Sequence, residues 1–268
     1  MTDEAKFTEE WILVGDLEID REVQRNNIDL KKVERIKANY NPGALGVITC
    51  SRRNKVTTVV LDGQHRVQVV KELTDNEGEV LCHVFSGLTL AEEAQMFLDL
   101  NAGNQPSLLE KFRVRVVAGD EGAIDITNMV KSYGWTIGPS TQNGTLQCVG
   151  ALESIYRLSK KLEFEPDLLQ AVIMTITRAW GTDRDGGNAV LLQGLAFLIS
   201  EHGSLLDLKR LETCLKSYQG GPMGLHTDAV QLAALRKMRV AMAVAEQVTE
   251  AYNKGRKNKL LPPWRRRK

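Results

Sequence analysis

The stretch Thr57 to Leu73, TTVVLDGQHRVQVVKEL, constrains this chain more than any other. A run of β-branched and aliphatic residues reads as a buried strand. Gly63 breaks it, and the residues that follow have helical spacing, with Val67, Val69, Val70 and Leu73 available to a core. A strand that passes through one glycine directly into a helix requires a sheet with a helix packed back on it.

The flanking segments extend this picture. Trp11 to Leu17 reads as a short strand, Asp29 to Tyr40 as a helix stopped by Asn41-Pro42-Gly43, and Leu45 to Ser51 as a strand. Arg52 to Lys55 forms a polar hairpin turn before the returning strand Val56 to Leu61, and Val80 to Phe85 is a further strand. Thr89 with Glu92, and Ser107 with Glu110, have the capping-box spacing that opens helices. After Gly119 long helical patterns take over, at roughly 121–133, 145–161, 166–180, 189–202, 207–218 and 226–253. The predicted class is α+β: a mixed-sheet domain over 1–118, an all-α domain over 119–253 and a basic tail over 254–268.

Composition excludes several classes. With 43% hydrophobic residues in 268, the chain can build a core without metals or disulfides. Cys50, Cys82, Cys148 and Cys214 form no CxxC pair, which fits reduced thiols in a cytoplasm and argues against a zinc site. The polar start MTDEAKFTEE does not read as a signal peptide, and no apolar run approaches the ~20 residues of a membrane span. Eight Lys and Arg with no acid lie in 254–268, leaving 27 basic against 34 acidic residues in the body. An acidic body with a basic tail predicts one local electrostatic contact.

The chemistry concentrates at Asp62 to Arg66. A helix start presents unpaired backbone N–H groups and the positive end of the helix dipole. Gly63 lets a ligand approach the backbone, and His65 and Arg66 put donors in the first turn, so the corner is a candidate anion site. Asp62 repels phosphate by itself; it would hold a metal bound to phosphates, accept a proton, or fix Arg66. The bland alternative is that Gly63 only permits a tight turn while Asp62 and Arg66 pair on the surface.

The segment DGQHR, preceded by LEIDREVQRNNIDLKKVERIKANYNPGALGVITCSRR, resembles the ParB/sulfiredoxin superfamily, and more closely its phage and mobile-element DGQHR-type ParB-like branch. Leu17 to Arg25, Asp29 to Tyr40, Leu45 to Ser51, Asp62 to Arg66 and Glu92 to Lys111 follow the order of that family's elements over about 100 residues. The resemblance implies a domain that binds ATP or another nucleoside triphosphate with Mg²⁺. Gly63, His65 and Arg66 would contact phosphates, with Arg25 reaching them from the first loop, and Gln64, Asn101 and Gln105 would line the nucleotide pocket. Asp62 and Asn101 would serve a metal, and Asp62, His65 and Glu22 (or Asp20) would be the catalytic candidates. The implied activity is that of a phosphotransferase (kinase) or NTPase, with nucleic acid as a conceivable substrate. The alternative is a non-catalytic DNA-binding regulator or partition protein.

Three departures limit what carries over. His65 stands where partition proteins have Arg. The Asn101-Ala-Gly-Asn104 box lacks its Arg. Gln64 occupies the position of sulfiredoxin's catalytic cysteine, which argues against sulfinic acid repair.

Other features read as structural. His83, His202 and His226 have no metal-ligand spacing, and Ser107 reads as a helix cap. Gly181 to Gly187 reads as a plain turn, and the connector after Gly134 is too long for a helix-turn-helix. No Walker A, nucleophile elbow or two-metal carboxylate cluster is evident, which argues against a nuclease. In the tail, Lys254, Arg256, Lys257, Lys259, Arg265, Arg266, Arg267 and Lys268 suit phosphate-backbone contacts, with Trp264 able to stack on a base. The tail is expected to be extended or weakly ordered. Expected partners are a nucleotide, with DNA and a second copy of the chain left open, and no membrane; the expected setting is the cytoplasm of a bacterial or phage-infected cell.

Overall fold

The N-terminal sheet takes its five strands in the order β1-β5-β3-β4-β2. The computed structural model describes residues 7–21, 28–101, 107–162, 167–258 and 260–262. The strands are β1 (Phe7–Leu13), β2 (Leu17–Glu18), β3 (Ile48–Arg52), β4 (Thr58–Asp62) and β5 (Glu79–Ser86). Between them run α1 (Leu30–Ala38) and α2 (Gln64–Thr74), and after β5 come α3 (Leu90–Leu100) and α4 (Leu108–Val117). β3 and β4 form the expected antiparallel hairpin, while β3 with β5 and β2 with β4 are parallel, so the sheet is mixed.

Alternation along β4 explains the two cores. Val60 joins Ile48, Cys50, Cys82 and Val84 in a cluster with Val67 and Val70 of α2. Its neighbour Leu61 points the other way, into a cluster with Ala94 and Phe97 of α3 and Val114 of α4. The sheet is therefore covered on both faces, which suits a strand as apolar throughout as β4. The capping boxes at Thr89/Glu92 and Ser107/Glu110 both form: each hydroxyl oxygen accepts the glutamate's backbone N–H, and each glutamate carboxylate accepts the cap residue's backbone N–H. Arg53, at the hairpin, ion-pairs with fully buried Glu93 of α3 and with Asp20. Hydrogen bonding to Glu93 raises the Arg53 pKa further above its usual range, so the guanidinium stays charged.

The predicted strand Trp11 to Leu17 is divided. β1 starts earlier, at Phe7, and pairs antiparallel with β5 through Leu13. A 3-10 turn over Val14–Asp16 then carries the chain across to β2 at the opposite edge. One strand cannot serve both edges, which is why the run breaks.

The chain separates into two compact units, Met1–Glu121 and Gly122–Lys268. The second contains most of α5 (Glu121–Ser132), followed by α6 (Val149–Leu162), α7 (Leu168–Trp180), α8 (Ala189–His202), α9 (Leu208–Lys216), α10 (Gly221–Arg236) and α11 (Val240–Asn253). Two differences from the sequence reading stand out. Residues 145–146 are not helical: β7 (Thr145–Leu146) pairs in parallel with β6 (Thr136–Ile137), a small ladder inside an otherwise helical unit. The pattern over 226–253 is two helices, because Lys237 takes a left-handed conformation (φ 51°) that ends α10. No glycine or proline marks that break, so hydrophobic periodicity alone runs through it.

All four cysteines are free thiols, with Cys50 and Cys82 buried in the sheet. Burial pushes the Cys148 thiol up to about 11. Among the described residues no helix is long and apolar enough to cross a membrane.

The helical unit centres on α8, which buries Leu191, Leu192, Leu195, Ala196, Leu198 and Ile199. Its Gly194 allows α11 to approach closely: a Cβ there would sit 2.5 Å from Val244 Cβ and 2.7 Å from the Ala241 carbonyl oxygen. Gly194→Ala is expected to destabilise the unit by about 1–3 kcal/mol through overpacking. Urea unfolding followed by helix signal measures this; an unchanged midpoint would contradict the close crossing of α8 and α11.

Candidate functional site

The corner between β4 and α2 is built by a glycine in a conformation other residues resist. Gly63 has φ 99° and caps α2 without any side-chain hydrogen bond. Its carbonyl accepts from the Arg66 and Val67 N–H groups at 2.9 and 3.0 Å, which starts the helix. The amides before them have no carbonyl of the same helix within reach, as at every helix start.

Arg66 is held within the protein. Its Nη1 donates to the Leu45 and Val47 carbonyl oxygens at 2.9 and 3.1 Å, and its Nη2 donates to Asp62 Oδ2 at 3.0 Å. Three of five guanidinium N–H groups are thus engaged, leaving at most two for a ligand. The Asp62–Arg66 pairing weighed as the bland alternative is present. The expected role of Gly63 also changes. A Cβ at residue 63 would lie 2.6 Å from Ile48 Cδ1 and 3.0 Å from Arg66 Nη2, so the glycine makes room for the protein's own packing. Arg66 fixes the loop before β3 and neutralises Asp62, and a ligand meets it at most at its edge.

A cavity of about 230 Å³ nonetheless opens at this corner. Its wall is Leu61, Asp62, Gly63, Gln64, His65 and Arg66 from the strand-turn-helix, with Lys32 and Ile36 from α1 and Phe97 and Asn101 from the end of α3. The structure therefore brings Asp62, Gly63, Gln64, His65, Arg66 and Asn101 together, as the sequence implied. Glu22, Arg25 and Gln105 lie outside the described residues. Asp20 is engaged by Arg53 at 2.7 Å and does not line the cavity.

His65 is buried, and its Nε2 accepts from the Asp29 backbone N–H at 3.2 Å. That nitrogen is an acceptor, so the neutral ring carries its proton on Nδ1. The bond ties the first turn of α2 to the cap of α1, where Asp29 Oδ1 accepts from the Lys32 N–H. His65 is thus a positioning residue for α1. Asn101 is also buried and donates through Nδ2 to the Phe97 carbonyl oxygen at 2.9 Å, which leaves its side-chain oxygen for other work. Gln64 is 94% buried, and its Oε1 has no hydrogen-bond partner among the described residues.

Lys32 was missed by the sequence reading, which used α1 only for its apolar face. A signal existed. Lys31 and Lys32 occupy the first turn of α1, which contains no acid. Cations there oppose the helix dipole, and such a local violation flags a functional position. Lys32 has no ion-pair partner among the described residues, and it faces the cavity.

The comparisons with known proteins bear on this chain through its family alone. Residues 19–263 match a family described as being of unknown function, DUF6551. The chain belongs to the DUF6551 family. The match spans both units, so in DUF6551 the cavity-bearing sheet domain and the helical unit occur within one family pattern. The comparison with curated proteins returned no match.

The tail of this DUF6551 protein departs from expectation. Asn253 donates through Nδ2 to the Leu261 carbonyl oxygen at 2.9 Å and accepts the Leu261 N–H on Oδ1 at 2.8 Å, and Leu261 is buried. Leu261 is therefore folded back on the end of α11, where the sequence reading expected an extended or weakly ordered tail. Arg256 lies over the Tyr252 ring at 5.1 Å, with Arg210 over the same ring at 5.2 Å. Arg256 is thus occupied in packing. Lys254 and Lys257 remain exposed. Lys259, Trp264, Arg265, Arg266, Arg267 and Lys268 lie outside the described residues.

Arg66→Lys keeps the charge but cannot span two carbonyls and a carboxylate at once. It is expected to lower unfolding free energy by about 1–2 kcal/mol, the cost of leaving the half-buried Leu45 and Val47 carbonyls short of donors. Equal stability of the variant in urea would show that the guanidinium is not the staple of this corner.

Proposed function

We propose that this protein binds a nucleotide or a comparable phosphate ester in the cavity at the start of α2, as the ParB/sulfiredoxin resemblance implies. The observation that carries the reading is the pairing of an uncapped helix start with Lys32 on one cavity wall. Backbone N–H groups and the dipole favour an anion at such a place, and a nearby ammonium adds a charge-assisted donor. With Arg66 balanced by Asp62, Lys32 is, among the described residues of the wall, the cation left to answer the phosphate.

The residues also fit a phosphate-bound divalent cation. Mg²⁺ is usually held by one or two carboxylates together with substrate phosphates. Asp62 is the carboxylate that lines the cavity, and Arg66 engages only its Oδ2. Asp62, with Asn101 beside it, would hold the ion, which would supply charge neutralisation for the phosphates. The chain's own residues would position the ligand: α2 amides and Lys32 at the anion, His65 by fixing α1, and Arg66 by fixing the loop under it. Such an arrangement suits phosphoryl transfer, where catalysis is mainly placement and charge stabilisation. A kinase or an NTPase is therefore the activity proposed, ahead of a ligand-controlled DNA-binding regulator.

Titration calorimetry with ATP, GTP and CTP in Mg²⁺ should show binding. Lys32→Ala is expected to weaken it by about 10–100-fold, the loss of one charge-assisted contact of about 1.5–3 kcal/mol. Label on the γ-phosphate then separates the activities: transfer to an acceptor marks a kinase, release as free phosphate marks an NTPase, and retention marks a regulator. Absence of binding by any of the three nucleotides would end the proposal.

A further inference from the structure

Gln64 is a polar side chain of the cavity wall that is buried with an acceptor left open among the described residues. It is 94% buried, yet its Oε1 has no donor among the described residues. A buried polar atom without a partner is a standing penalty in the free protein, and such atoms in native structures call for an explanation. Three polar neighbours are engaged with other groups. His65 Nε2 is itself an acceptor, engaged by the Asp29 N–H. Asn101 directs its Nδ2 to the Phe97 carbonyl. Arg66 directs its terminal nitrogens to Leu45, Val47 and Asp62.

We infer that Gln64 Oε1 accepts a hydrogen bond from a hydroxyl group of the bound ligand, so that the cavity takes a hydroxyl-bearing phosphate ester rather than a bare phosphate. The inference rests on the phosphate-binding reading above and deepens it by assigning the second half of the ligand. An amide oxygen requires a donor, and phosphate oxygens near neutral pH are chiefly acceptors. The donor therefore belongs to another part of the molecule. A ligand ammonium is disfavoured, because Lys32 and the positive end of α2 share the same small space. A neutral hydroxyl satisfies both conditions.

Size points the same way. The cavity is about 230 Å³, below the roughly 300–1,000 Å³ of cavities that surround a whole drug-sized ligand. A phosphate with its adjoining sugar matches that scale, and a nucleobase would extend beyond it. For a nucleotide the hydroxyl is then one on the ribose. Sites that hydrogen-bond a substrate hydroxyl reject the analogue lacking it, because their buried group is left unpaired.

The test uses the full chain and Gln64→Met, which keeps the side chain's length and removes the amide. Binding of adenosine diphosphate, its 2′,3′-dideoxy analogue and inorganic pyrophosphate is measured by calorimetry. The wild type is expected to prefer the diphosphate over the dideoxy analogue by at least about tenfold, one hydrogen bond's worth. Gln64→Met should lose that preference while binding pyrophosphate as the wild type does. A preference unchanged in Gln64→Met would overturn the inference, as would a wild type indifferent to the hydroxyls. Thermal unfolding without ligand gives an independent reading. Removing an atom that lacks a partner should leave the melting temperature equal or higher, and a marked drop would show that the protein itself satisfies Oε1. Failure of the wild type to bind any of the three ligands would instead sink the phosphate reading, which separates the two outcomes.

Discussion

Everything at the β4–α2 corner depends on how the Arg66 guanidinium is held. It joins two carbonyls of the loop before β3 to the carboxylate at the end of β4, and so links three separate pieces of backbone. Lysine cannot make that set of contacts, since an ammonium is a point donor and a guanidinium a planar fork. Ile48 Cδ1 and the guanidinium fill the volume where a side chain of residue 63 would project. The glycine, the arginine and the β3 isoleucine are thus one packed unit. The left-handed turn at Gly63 aims α2 so that its first turn opens onto the cavity.

That arrangement changes how the charge in the site is counted. Read as a string, DGQHR has an acid, an imidazole and a guanidinium beside a helix start, and the arginine looks like the phosphate ligand. In the fold the arginine and the acid face each other, and the histidine accepts a backbone N–H from α1. Among the described residues, the positive potential that remains in the wall comes from the helix end and from Lys32, on an element about 30 residues earlier in the chain. The motif supplies the frame, and α1 supplies the charge.

How much of this was legible in the sequence follows from which interactions are local. The strand-glycine-helix order, the β3–β4 hairpin and the two capping boxes depend on residues within a few positions of one another, and they were read correctly. The membership of Asn101 in the site came from a family resemblance, and its place in the cavity wall agrees with that expectation. What was misread depended on distant partners. The division of Trp11 to Leu17 is set by two opposite sheet edges. The end of α10 at Lys237 lacks any breaker residue. The folded-back tail depends on Asn253 reaching Leu261, and eight basic residues in a row of fifteen drew attention away from the two leucines among them.

Three departures from local stability meet in one place, and that convergence is the strongest physical argument for function. Lysines begin α1 where acids would stabilise it. A glutamine amide oxygen is buried without a donor. A helix start lacks a capping side chain although serine, threonine, asparagine or aspartate caps α1, α3, α4, α7, α8 and α9 of the same chain. Gly220 and Arg239 likewise start α10 and α11 without a side-chain cap, so what distinguishes the start of α2 is that it opens onto the cavity. Leaving that end open, next to an ammonium and an amide oxygen that have no partner among the described residues, lowers the stability of the free protein. On the proposed reading, an anion with a donor group in the space between them would make the three features favourable together.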